Sequence, residues 1–187
     1  MSTTRAELLR WQFDLTWALT EFHLTRLTSE DFDWEPAQPC WTVRRGADGR
    51  WVADFAEVEP DPVPALTIAW LTWHVGWWWS VTIDHVRGRR PRERTEIEWP
   101  GPGEPTIAWL RALRDEWAVV SAELTDADLD GRAPFPWPDS PELTVAHMLA
   151  WVNTELMKNV AEIGQLRMLR AVAGAAPAAA GSSSPPR

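Results

Sequence analysis

The stretch TIAWLTWHVGWWWSV, Thr67 to Val81, holds five tryptophans, one glycine, no formal charge and a single histidine, His74. Its reading decides the fold. A segment that is apolar on every side is either a bilayer span or the central helix of a bundle. The uncharged run from Ala65 to Ile83 is long enough, at about 1.5 Å per residue, to cross most of a bilayer core. Against a span, Thr72 and His74 stand near its middle. The tryptophans also cluster centrally, whereas membrane tryptophans gather at the two interfaces. The stretch therefore reads as a buried helix, entered through Pro62-Val63-Pro64 and closed near Gly88.

Three further helices follow from the spacing of apolar residues. The first, from about Thr4 to Leu27, carries Leu8, Trp11, Leu15, Leu19 and Phe22 at three- and four-residue steps, a stripe expected to face the core. The third starts after Gly103-Glu104-Pro105 and has the stripe Ile107, Leu110, Leu113, Trp117, Val120 and Leu124. The fourth is expected to open at Ser140-Pro141-Glu142, with Ser140 as cap and Pro141 at the first helical position. Four helices with two long crossings predict an all-α four-helix bundle. Inside the long connection between the first two, WTVRRGADGRWVADF reads as a small hairpin around Ala47-Asp48-Gly49. Residues 1–172 form one domain by this reading, and the Ala/Ser/Pro-rich 173–187 a disordered tail.

Composition excludes some functions. A formal net charge of -9 argues against a nucleic-acid partner, which needs a basic face. The densest basic run, Arg87, Arg89, Arg90, Arg92 and Arg94, is interrupted by Gly88 and Pro91 and reads as a solvated loop. The one cysteine, Cys40, permits no intrachain disulfide and has no adjacent base to make it a nucleophile. A reducing cytoplasm fits, and the charged opening MSTTRAELLRWQ has no apolar core of a secretion signal. No membrane partner is expected.

On a helix, His74 shares a face with Trp70, Trp77, Trp78 and Val81, and His85 lies three turns further along. Burying an imidazole without a partner costs roughly 1–3 kcal/mol, so His74 requires a hydrogen bond or a metal. The fourth helix offers Trp151, Glu155, Asn159 and Glu162 along one face, with Glu155 and Asn159 at the i, i+4 spacing of helical ligands. His147, about 12 Å below Glu155 along the axis, suits a structural or rim role, and His23 has no visible partner.

Three segments, LTSEDFDWEPAQPCWTVR, EPDPVPALTIAWLTWHV and VNTELMKNVAEIGQLR, resemble in type and order the actinobacterial branch of the DinB-like superfamily. These are four-helix proteins related to the YfiT-like metalloenzymes and to thiol-dependent transferases. The resemblance runs from about Leu8 to Leu169 and makes His74 the counterpart of the family's metal-binding histidine on the second helix. On the last helix relatives commonly read H-x-N-R-E-x-x-H-H-G-A-E-I, where this chain reads W-V-N-T-E-L-M-K-N-V-A-E-I. Asn153, Glu155, Glu162 and Ile163 match, whereas Trp151, Lys158 and Asn159 replace histidines. The site that the resemblance implies is thus His74, Glu155 and Asn159, with an amide where an imidazole is usual.

Two functions follow. One is a divalent-metal-dependent transferase using zinc, nickel or iron and a mycothiol-type thiol, with His74 and Glu155 as catalytic groups and metal ligands. Asn159 is then the weak third ligand. The other is a metal-free bundle that binds a small molecule, or acts on it without metal, in a cavity lined by Trp70, Trp77, Trp78 and Trp151. There a carboxylate partner is expected to raise the His74 pKa. A homodimer is a further expectation, because Trp73 and Trp79 lie on different sides of one helix and the bundle has to hide both.

Overall fold

The computed structural model describes residues 3–175, and within them the bundle is realised. Helix α1 (Arg5–Leu24) opens on a capping box: the Thr4 hydroxyl accepts from the Glu7 N–H, and the Glu7 carboxylate accepts from the Thr4 N–H. A one-turn helix, α2 (Ser29–Phe32), follows, and both the N–H and the hydroxyl of Thr28 donate to Asp31. Arg170, far along the last helix, pairs with that same Asp31 and ties the turn to the bundle.

Four short strands occupy the long connection. β1 (Cys40–Trp41) pairs in parallel with β4 (Ala65–Leu66), an arrangement with no signal in the sequence. Between them β2 (Val43–Arg45) and β3 (Trp51–Ala53) form the expected hairpin, with Arg44 opposite Val52. Its turn needs Gly49, whose φ of 79° lies in the left-handed region.

The tryptophan helix, α3 (Ile68–Val86), is capped by Thr67, whose hydroxyl accepts from the Trp70 N–H. It packs against α4 (Glu104–Glu123) and α5 (Val145–Ala175), and α1 lies along α5. Among the described residues no helix is long and apolar enough to cross a membrane. Trp73 and Trp79, for which the sequence leaves the long loop, a partner chain or solvent as the cover of at least one, are 3% and 0% exposed. Trp79 meets Phe13 and Trp17 of α1 at ring distances of 5.8 and 6.0 Å. Trp73 lines one cavity with Val52 and Ala53 of the hairpin strand. Helix α1 thus covers Trp79, and the long connection approaches Trp73.

Two expectations need correction. The α1 stripe of Leu8, Trp11, Leu15 and Phe22 faces solvent, and the buried face is Ala6, Phe13, Thr16, Trp17, Thr20, His23 and Leu24. Phe13 and Trp17 bring more area to the core than leucines do, and the threonines cost little there. The hydroxyls of Thr16 and Thr20 bond back to the carbonyls of Gln12 and Thr16. Second, α5 begins at Val145, after a turn over residues 140–144. The crossing before it uses the backbone: the Val145 N–H donates to Gly131 O, and the Ala133 N–H to Leu143 O. Thr144 caps instead, its N–H donating to His147 Nδ1 as it would to a capping-box glutamate. The arginine run is an exposed loop at Arg87, Arg89 and Arg90, as expected, and it is also paired. Arg92 grips the buried Asp84 (Nε–Oδ2 2.7 Å), Arg87 and Arg89 hold Glu116 of α4, and Arg90 holds Glu96.

The α4 stripe from Ile107 to Val120 is buried as expected. Helix α5 runs on to Ala175, so residues 173–175 of the expected tail are helical. Residues 176–187 lie outside the described residues.

Candidate functional site

His74 sits on the second turn of α3, partly covered, and its ring stacks on Trp70 at a centroid distance of 4.9 Å and an interplanar angle of 12°. The next turn sends Trp77 edge-on to it at 5.9 Å. Trp70 is held from behind: its indole N–H donates to Asp54 O at 2.7 Å, and Trp41 stacks on it at 5.6 Å. Trp77 is held by Trp73, stacked at 5.8 Å, and by the edge of Phe55 at 6.0 Å. The hairpin region and β1 thus fix the walls on either side of His74.

The facing groups come from α5. Burial pushes the His74 pKa down to about 4, Glu155 opposes that shift, Lys158 adds to it, and Asn159 opposes it weakly. The expected rise from a carboxylate partner is therefore overturned, because desolvation outweighs it and a cation neutralises the carboxylate. Lys158 Nζ lies 2.6 Å from Glu155 Oε1. Asn159 is buried and its polar atoms are engaged: Oδ1 accepts from the Trp78 indole at 3.3 Å, and Nδ2 donates to Glu162 at 3.2 Å. His74 Nδ1 is buried with no hydrogen-bond partner, as are His23 Nδ1, Trp79 Nε1 and three other side-chain atoms among the described residues; of these His74 alone belongs to this seam's candidate set.

Trp78 and Trp151 meet edge-to-face at 5.3 Å and extend the site along the α3–α5 seam. Phe135 and Trp137, from the crossing before α5, cover Trp151 at 5.5 and 6.2 Å, and His85 stacks on Phe135. All the residues singled out from the sequence, His74, Glu155, Asn159, Trp70, Trp77, Trp78 and Trp151, therefore lie along this one seam. The Cys40–Phe55 loop, which the sequence offers as a cover of the cavity, supplies Trp41, Asp54 and Phe55 as braces, whereas Phe135 and Trp137 were missed. The sequence reading weighed Lys158 without seeing the ion pair, although the three-residue spacing from Glu155 carries that signal.

A late transition metal does not fit these donors. The set is one imidazole, one carboxylate already paired with a lysine, and one amide oxygen already receiving an indole N–H. Among the described residues no three His, Cys, Asp or Glu side chains come together as a metal-binding group. Cys40 is half-buried, and burial, with Glu35, pushes its thiol up to about 11, which removes it as a nucleophile at neutral pH. His23 lies against Gly164 of α5, away from the seam, and burial lowers its pKa.

Comparison with known families matches residues 12–163 to the model of the DinB superfamily. No curated protein matches the chain.

Proposed function

This chain belongs to the DinB superfamily, and from that premise we propose that it binds a small molecule at the α3–α5 seam without a transition metal. The observation that carries the reading is the unpaired, buried Nδ1 of His74 in an aromatic wall. Native proteins seldom leave a buried polar atom without a partner, and one set in a seam of aromatic walls points to a ligand. With a pKa near 4 the ring is neutral at pH 7, so it both accepts and donates a hydrogen bond and repels no cation. It is too weak a base to drive proton abstraction at that pH, which favours binding over acid–base catalysis.

The walls specify the ligand's chemistry. Half-buried Trp77 and Trp151, backed by the buried Trp70 and Trp78, suit the edge of a flat apolar body, and Glu162 tolerates positive charge. An N–H, O–H or S–H on that body would meet the imidazole. A mycothiol-type thiol supplies one such donor, so the transferase ancestry and the binding reading share a seam.

The test has two arms. Tryptophan fluorescence is titrated with phenol, indole and tetramethylammonium for the wild type and His74→Ala. A saturable change weakened about tenfold by the substitution, roughly 1.4 kcal/mol of lost binding, is expected. In parallel, untagged protein purified without chelator is assayed for bound metals by elemental mass spectrometry. Metal well below one equivalent is expected. Close to one equivalent of zinc, nickel or iron, lost in His74→Ala, would overturn the metal-free reading. It would return the site to a metal-dependent thiol transferase with His74, Glu155 and Asn159 as ligands.

A further inference from the structure

Helix α5 outlasts α1 at one end of the bundle. His23 of α1 lies against Gly164 of α5, and α5 continues for about three more turns to Ala175. Arg167, Ala171 and Gly174 succeed Gly164 on that face at three- and four-residue steps. With Arg26 and Trp34 from the chain that follows α1, they line an open groove of about 560 Å³.

The groove gathers three guanidinium groups, Arg26, Arg167 and Arg170, in a chain whose formal net charge is -9. Arg170 is neutralised: it pairs with Asp31, a carboxylate of the same lining, and with Glu30 at 3.0 Å. Arg26 spends its Nη1 on Phe22 O at 2.6 Å and lies over the Phe22 ring, with no carboxylate paired to it among the described residues. Arg167 makes no hydrogen bond and no ion pair among the described residues, and its Nε is buried. His23, only 9% exposed, leaves its Nδ1 without a partner as well. Burial, then Arg167 and Arg26, lower the His23 pKa, so both cations stand close to this ring. Two of the six buried polar atoms without a partner among the described residues therefore meet at this end of the bundle.

A guanidinium holds its donors in a planar fork that matches carboxylate and phosphate oxygens. Two such groups without a counter-ion call for a dianion. A phosphate monoester carries about -1.5 to -2 at neutral pH, whereas a carboxylate carries a single charge. The groove is larger than a phosphoryl group, and Trp34 adds an aromatic wall for an organic body.

We infer that this groove binds a small-molecule phosphate monoester, with Arg167 and Arg26 on the phosphoryl oxygens and Trp34 against the organic part. It shares no residue with the α3–α5 seam and is independent of what the seam binds. Calorimetric titration of the full chain with phenyl phosphate is expected to give saturable one-to-one binding with a Kd below about 1 mM. Benzenesulfonate, the same ring with one charge, is expected to bind at least tenfold more weakly. Arg167→Gln and Arg26→Gln are each expected to weaken phenyl phosphate at least tenfold with the melting temperature retained, because neither side chain has an ion pair to lose. Arg167→Lys, which keeps the charge and loses the fork, is expected to recover only part of the affinity. His74→Ala, in the seam, and Arg90→Gln, at an exposed arginine elsewhere, are expected to change nothing. No saturable binding up to about 10 mM phenyl phosphate would sink the proposal. So would equal losses in Arg90→Gln and Arg167→Gln, the mark of diffuse charge attraction. Benzenesulfonate binding as tightly as phenyl phosphate would overturn the ligand class.

Discussion

The buried imidazole of His74 makes stability depend on pH. Its folded pKa of about 4 lies below the 6.5 of an unfolded histidine, so the unfolded chain takes the proton first. The resulting stabilisation is complete above about pH 6.5 and is lost progressively as the pH falls through the folded value. Solvent reaches part of the ring, which holds the contribution to about 2 kcal/mol. Urea unfolding at pH 7 and pH 4.5 should therefore show a smaller acid loss, by about that amount, in His74→Gln than in the wild type. An identical pH dependence in the two proteins would mean that the ring is not desolvated. The lowered pKa of His23, caused by burial and then by Arg167 and Arg26, acts in the same direction and is common to both. Cys40 offers a second residue-scale test. A thiol pKa near 11 against an ordinary 9 leaves roughly 100-fold less thiolate, so alkylation by iodoacetamide at pH 8 should lag a free cysteine by about that factor. Reaction at the ordinary rate would place the thiol in solvent.

Between elements, the close approach of α3 and α4 turns on a missing side chain. A Cβ on Gly76 would lie 1.7 Å from the Trp109 indole, so the ring occupies the space that any other residue would need. Gly76→Ala should cost about 1–3 kcal/mol, read as a fall in melting temperature of roughly 2–12 °C. Trp109→Ala should make the same substitution nearly silent, and a full cost in both backgrounds would remove Trp109 as the cause. At the far end of α3, Arg92 and Arg89 reach back to Asp84, whose side chain is buried. Arg92→Ala leaves a poorly compensated buried carboxylate and should cost about 1–3 kcal/mol. Arg90→Ala, which breaks only an exposed pair with Glu96, should cost well under 1 kcal/mol. Equal losses from the two would mean that Asp84 is not the anchor of this loop.

For the whole molecule, the substitutions separate binding from architecture: His74→Ala is expected to leave the circular dichroism spectrum unchanged while weakening ligand binding. Much of this architecture was legible in order along the chain. The tryptophan run could only be a buried helix once Thr72 and His74 stood at its centre, the α4 stripe could only face inward, and Gly49 marked the hairpin. The positions of His74, Glu155 and Asn159 along one seam were also legible, because helical periodicity and the family resemblance agreed. What failed was every question of which neighbour reaches a face first. Two apolar faces compete on α1, and periodicity weighs them alike. Phe13 and Trp17 win the core because Trp79 is there to meet them, a fact about a residue more than sixty positions away. The start of α5 moved because Gly131 and Leu143 use the backbone groups of the preceding turn. The ionisation of His74 was misjudged because burial beside Trp70 and Trp77 desolvates the ring, and Lys158 offsets Glu155. Local periodicity and turn chemistry are properties of consecutive residues, so the sequence alone determined which segments are helices and where the hairpin turns. Burial and charge are sums over every group within a few ångströms, and only the tertiary structure decided which face is hidden, which carboxylate is free and which polar atom is left without a partner.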